Sequence, residues 1–229
     1  MTKQKHSKYF TDIVEFLIKH TKGFDSSHDS YHGFMVYKTT KKILEYERLN
    51  NNKIDYDIDT ATTVSLLHDV RDHKYENCVS QEEFDKFLDD RVGSNQRDVI
   101  NLMIQSISWS KRNKNPTLDE ELAKKLSVQH MHILKAVRDA DLIEAIGKKG
   151  ILRCETFVIA QSNSENMKEV PQKVVQHAKD KLIKLYPDNW ISTKCGRSIA
   201  EPLHKEMMSF LENYNGSNKW ASMIIIDFD

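Results

Sequence analysis

Two adjacent His-Asp pairs, His28-Asp29 and His68-Asp69, stand out among the ten histidines of the chain. An imidazole beside a carboxylate supplies a neutral nitrogen donor and an anionic oxygen donor, a combination suited to metal binding or proton transfer. The dipeptide alone is a weak motif, and context separates the two. His68-Asp69 closes the apolar run VSLLHD, where burying two polar side chains without partners is costly. Alone it reads as a core histidine bonded to a carbonyl beside a helix-terminal aspartate. Two further polar residues intrude on apolar helical faces. His32 opens the pattern HGFMVYKTTKKIL, and Asp141 interrupts the face Val137, Ala140, Ile143 in ILKAVRDADLIEAIG. Three separate helices thus each bring an imidazole or a carboxylate toward the core. A shared metal ion is one of the few partners that relieves all of them together. Two imidazoles and two carboxylates suit Mn, Fe, Co, Ni or Zn better than Mg or Ca, which prefer all-oxygen shells. Four protein ligands leave an octahedral ion open positions for water and a phosphate oxygen.

Helices must position these residues. Phe10, Ile13, Val14, Phe16 and Leu17 recur at helical spacing, and a second helix is expected from about Tyr31 to Leu49. Asp59 reads as the N-cap of TATTVSLLHDV, and Ser80 with Glu83 as a capping box opening SQEEFDKFLDD, which Gly93 closes. Helical spacing returns from Gln96 to Ile107, Asn113 to Pro116 reads as a loop, and one long helix is expected from about Leu118 to Ile146, ending at Gly147. PQKVVQHAKDKLIKLY, with Pro171 at its start, and GRSIAEPLHKEMMSFLENY complete the helical set. NNNKIDYD and the polar stretch Gln161 to Glu169 read as loops, while the tail WASMIIIDFD fits a short strand or an extended segment.

With only 7 Gly and 4 Pro in 229 residues, helices are favoured over strands and turns. Lys and Arg number 34 against 34 Asp and Glu, and this zero balance argues against a general grip on nucleic acid or an anionic membrane. A hydrophobic fraction of 39% is enough for a real core. Cys78, Cys154 and Cys195, odd in number and widely spread, suit free thiols in a reducing compartment. No apolar segment of signal-peptide length follows MTKQKHSKYF, and Met223 to Ile226 falls far short of the roughly 20 residues of a membrane span. A cytoplasmic location is expected. Residues 1–229 are expected to form a single domain, with a core at about 8–160 and a helical carboxy-terminal extension at about 170–214 packing on it.

The array His32, His68-Asp69, Asp141 resembles the signature of the HD-domain phosphohydrolase superfamily. The blocks DSSHDSYH, SLLHDVRDHKY, IQSISWSK and RDADLIEAIGKKGILR, with HAKDKLIKLY and TKCGRSIAEPLHKEMMSFL, resemble one branch of it. That branch consists of small bacterial proteins similar to metal-dependent nucleotide pyrophosphohydrolases, and the resemblance spans roughly residues 8 to 214. It implies an all-α HD-domain helical bundle around a single metal site. His32, His68, Asp69 and Asp141 would hold a divalent transition metal, Mn first, with Fe, Co, Ni or Zn as alternatives. Asp139 competes with Asp141, but residues two apart on a helix point about 200° apart, so only one readily faces the metal. The superfamily's ligand follows Ala and precedes an apolar pair, as in Ala140-Asp141-Leu142-Ile143, which favours Asp141; Asp139 would then support a ligand histidine.

The resemblance also assigns supporting roles. Asp72, one turn after Asp69, would orient or deprotonate the attacking water, or is an exposed loop aspartate. Lys74 and Lys181 would hold phosphate as point charges, or are solvated surface lysines. His28 and Asp29 would line the pocket mouth, with local N-capping as the alternative. Arg153, after the glycine-bounded turn Gly147 to Gly150, would clamp phosphate or pair at the surface. The chain departs from the branch at Met35, where an arginine is usual; a phosphate contact or salt bridge is lost, but no metal ligand. The implied activity is hydrolysis of nucleoside triphosphates to release pyrophosphate. Its rivals are a monophosphate phosphatase or phosphodiesterase of the same fold, and a non-catalytic metal- or nucleotide-binding module. The expected partner is a nucleotide, with a homodimer allowed and neither nucleic acid nor membrane expected.

Overall fold

A long amphipathic helix packs early in the chain against one that is buried along most of its length. The computed structural model describes residues 7–25, 28–50, 55–160 and 167–214, and every regular element among them is helical. The fold is all-α. The chain divides into two compact units, Met1–Ala140 and Asp141–Asp229.

The first unit holds α1 (Phe10–His20), α2 (Ser30–Asn50), α3 (Ile58–Leu67), α4 (Gln81–Val92), α5 (Ser94–Gln105), α6 (Trp109–Lys114), α7 (Leu118–Ala123) and most of α8 (Val128–Glu144). Helix α2 buries His32, Gly33, Val36, Tyr37, Thr40, Ile43 and Leu44, a stripe at three- and four-residue spacing. Helix α3 buries every side chain from Thr60 to Leu67. Two of its hydroxyls are absorbed within the helix: Thr63 Oγ1 donates to the Asp59 carbonyl at 2.7 Å and Ser65 Oγ to the Ala61 carbonyl at 2.6 Å. Threonine-rich helices have modest intrinsic propensity, so packing by α1, α2 and α5 holds α3 in place.

Gly33 sets how closely α2 approaches α3. A Cβ there would lie 3.0 Å from the Leu66 carbonyl oxygen and 3.1 Å from Leu17 Cδ2. Asp29 begins α2, its Oδ1 accepting from the His32 N–H at 2.9 Å.

Several boundaries differ from the sequence expectation. Asp57, not Asp59, caps α3, accepting from the Thr60 N–H at 2.8 Å, while Asp59 Oδ1 accepts from Lys8 N at 3.2 Å. Ser80 caps α4 as expected and Gly93, at φ 78°, ends it, but the Glu83 carboxylate turns to Lys19 Nζ at 3.0 Å. Asn113 belongs to α6, and the turn is made by Asn115, whose Oδ1 accepts from both the N–H and the hydroxyl of Thr117. The expected long helix from Leu118 breaks at Lys124–Ser127, where Ser127 Oγ accepts from the His130 N–H at 3.2 Å and starts α8.

The second unit holds the end of α8, α9 (Gly147–Ala160), α10 (Val170–Asp180) and α11 (Lys194–Glu212), with 3-10 turns at Met167–Glu169 and Leu182–Lys184. Gly147 begins α9 rather than bounding a turn, and Gly150 packs so tightly on the Ala145 carbonyl that no Cβ fits. Pro171 lies in the first turn of α10, which ends at Asp180, short of the predicted Tyr186. The tail WASMIIIDFD, residues 51–54 and residues 161–166 lie outside the described residues. No described helix is long and apolar enough to cross a membrane.

Replacing Gly33 by Val is expected to destabilise the protein by about 2 kcal/mol, because the added carbons meet backbone and a buried leucine. Chemical denaturation measures it; an unchanged midpoint would show that α2 and α3 tolerate separation.

Candidate metal centre

His68 is the residue at which α3 ends. Its Nδ1 lies 2.9 Å from the Ser65 carbonyl oxygen, and a carbonyl only accepts, so Nδ1 carries the hydrogen. The Nε2 lone pair is therefore turned the other way. There it meets Nε2 of His32, at 3.3 Å, brought by the first turn of α2. Both imidazoles are buried, His32 at 3% exposure and His68 at 7%. Asp69 follows directly, its Oδ2 lying 3.2 Å from His68 Nε2 and 3.5 Å from His32 Nε2. Helix α8 supplies the last member: His32, His68 and Asp141 each place one ligand atom so that all three lie within 4.8 Å of one another. Asp139, two residues earlier on α8, is fully buried.

The donor set fits a divalent cation. At metal–ligand distances of about 2.1 Å, adjacent ligand atoms stand roughly 3 Å apart and opposed ones about 4 Å. On this scale His32, His68 and Asp141 bring their ligand atoms within 4.8 Å of one another, and Asp69 Oδ2 lies 3.2 and 3.5 Å from the two imidazole nitrogens. Burial alone would raise the Asp69 carboxyl, but the nearby imidazoles, His68 first and then His32, outweigh it and hold the group well below the usual carboxylate range. The site thus already favours an anionic oxygen facing two imidazole nitrogens.

A second polar group lies alongside. The Asp72 side chain is only 13% exposed, and its Oδ2 sits 3.1 Å from Lys74 Nζ and 3.7 Å from His28 Nε2. Lys74 is 59% exposed and returns its backbone N–H to Asp72 Oδ1 at 3.1 Å. The other ring nitrogen of His28, Nδ1, faces the Tyr75 hydroxyl at 3.0 Å and Asp25 Oδ1 at 3.4 Å. Tyr75 also donates to Asp25 Oδ2. Burial, and then Asp25, push the Tyr75 hydroxyl above the ordinary phenol range. Asp29, by contrast, spends its carboxylate on the helix cap.

Arg153 and Lys181 belong to the second unit. Arg153 Nη1 donates to the Glu144 carbonyl at 3.0 Å, and Lys181 follows the last residue of α10. Sequence reasoning missed Asp25, Tyr75 and Arg138. The Arg138 guanidinium, 1% exposed, donates from Nε and Nη2 to the Ser106 carbonyl at 3.0 and 2.8 Å and from Nη1 to Asp119 Oδ1 at 2.6 Å. A charged residue amid the apolar spacing of α8 was its only sequence signal.

No protein-family profile matches the chain. YpgQ of Bacillus subtilis, an uncharacterized protein, is 30% identical over 190 residues, covering 81% of this chain and 82% of its own length. The crystal structure of YpgQ in complex with ADP superposes with a TM-score of 0.64 at 22% identity, over 90% of this chain and 92% of that one. A Lactobacillus plantarum protein gives 0.68 at 19% identity, over 91% and 96%. An HD-superfamily hydrolase of Bacillus thuringiensis gives 0.61 at 21% identity, over 90% and 94%. The helical fold of this chain is thus shared with an HD-superfamily hydrolase. This chain belongs to the family of YpgQ.

Arg138→Met is expected to cost about 2 kcal/mol, since it leaves the carbonyl of buried Ser106 without the two guanidinium donors. A thermal unfolding midpoint equal to that of the parent would refute this role.

Proposed function

We propose that the chain is a metal-dependent phosphohydrolase of nucleotides, acting as a nucleoside triphosphate pyrophosphohydrolase. The observation that carries the reading is the convergence of His32, His68 and Asp141, with Asp69 against both imidazoles, from three separate helices. The ADP complex of YpgQ supports the choice of a nucleotide. His32, His68, Asp69 and Asp141 would hold the cation, with Mn as the first candidate. When bound it would supply Lewis-acid stabilisation of a phosphate oxygen and acidify a water.

The chain's own residues carry the rest. Ser65 holds the His68 ring so that Nε2 faces inward, and the Asp29 cap fixes the turn from which His32 projects. Water adds to the α-phosphorus, its proton passes to the Asp72 carboxylate, and the bridging oxygen departs with pyrophosphate. Lys74, paired with Asp72 and largely exposed, offers its ammonium to the phosphate chain. His28 lines the same side, and Arg153 and Lys181 are assigned to the departing phosphates.

Two measurements test the reading. Protein supplied with Mn2+ and a panel of nucleoside tri-, di- and monophosphates is expected to release pyrophosphate from triphosphates. Release of orthophosphate from monophosphates alone would instead indicate a phosphatase, and silence across the panel with metal tightly held would indicate a binding module. His68→Ala and Asp69→Ala are each expected to remove bound metal and activity together, at least about 100-fold in rate. Activity surviving either substitution would mean that the site is misassigned.

A further inference from the structure

The face of His28 away from Asp72 is occupied by two residues to which the hydrolytic reading gives no task. Tyr75 stacks on Phe24, with ring centroids 3.9 Å apart and planes 10° apart, so packing fixes the place of its hydroxyl. A carboxylate only accepts, so the bond between Tyr75 and Asp25 Oδ2 commits the phenolic proton to Asp25. The phenolic oxygen then has only lone pairs to offer His28 Nδ1, at 3.0 Å, and Asp25 Oδ1 adds another acceptor at 3.4 Å. Facing acceptors on both counts, Nδ1 carries the hydrogen. In the neutral ring Nε2 is consequently the bare nitrogen, and it points to Asp72 Oδ2, 3.7 Å away.

We propose that Tyr75 and Asp25 are positioning residues that lock His28 in its Nδ1–H form, presenting Nε2 as a proton acceptor beside Asp72. The proposal rests on the hydrolytic reading for its purpose, because Asp72 is the group served. The hydrogen bonds themselves stand without it. The arrangement parallels the use of a carboxylate to choose the tautomer of a catalytic histidine, with a tyrosine hydroxyl interposed. Chain geometry reinforces it, since the Tyr75 N–H is bonded to the Asp72 carbonyl at 3.1 Å and the two residues share one turn.

Tyr75→Phe removes the hydroxyl and keeps the stacked ring. The expected result is a fall in kcat of about 10- to 100-fold, with KM changed less than about twofold and metal content unaltered. In the same variant, long-range proton–nitrogen spectra of histidine-labelled protein, with Zn2+ or no metal bound, should show His28 leaving the Nδ1–H form that it holds in the parent. Asp25→Asn, which offers an N–H where an acceptor stood, should shift the ring the same way and serves if Tyr75→Phe fails to fold. A His28 ring already Nε2–H in the parent, or unmoved in the folded variants, overturns the proposal, as does an unchanged kcat. If the parent hydrolyses no nucleotide, the functional reading fails, and the spectra alone decide the assignment of Tyr75 and Asp25.

Discussion

The close approach of α2 to α3 at Gly33 is the contact on which the candidate centre depends. A hydrogen in place of a methyl lets the backbone of α2 lie against the Leu66 carbonyl and the Leu17 side chain. His32 is the next residue along, and His68 lies just beyond Leu66, so the same contact sets the 3.3 Å between the two imidazole nitrogens. Packing density leaves little freedom here, because α3 is buried along nearly its whole length.

Electrostatics then follow from placement. Two buried imidazoles and a carboxylate at the mouth of a helix end would be unfavourable if each stood alone. Positive charge among them relieves this: a protonated imidazole at His68 or His32 draws the Asp69 carboxyl well below the usual carboxylate range, against its burial. The polar side chains beyond repeat this logic at lower burial. Asp72 lies between a lysine and a histidine, and Asp25 between a histidine and a tyrosine. Charge is balanced locally in a chain whose overall charge is also zero.

Much of this was legible in the linear sequence wherever a single rule governed the outcome. The spacing of Ile13, Phe16 and Leu17 marks α1, and Ser80 and Gly93 bracket α4. The inward-facing polar residues were visible because they broke apolar stripes on α2, α3 and α8. Elements set by competing local signals were not visible. Leu122 and Leu126 continue the apolar spacing across the break before α8, so the capping serine at 127 went unread. Asp57 and Asp59 are equally good caps by type, and only the observed bond to Thr60 separates them. Gly147 to Gly150 carries turn residues, yet their freedom serves tight helix packing instead. Asp25 and Tyr75 are fifty residues apart, and no periodicity links them.

Arg138 stands three residues before Asp141 on α8, with its guanidinium forked around the Ser106 carbonyl and pinned to Asp119. Successive helical residues are separated by about 100° around the axis, so offering Asp139 in place of Asp141 would require α8 to roll through half a revolution. Such a roll would drag an always-charged group out of its socket. The Arg138 anchor, one turn before Asp141, thus opposes any rotation of α8 that would carry Asp141 away from His32 and His68.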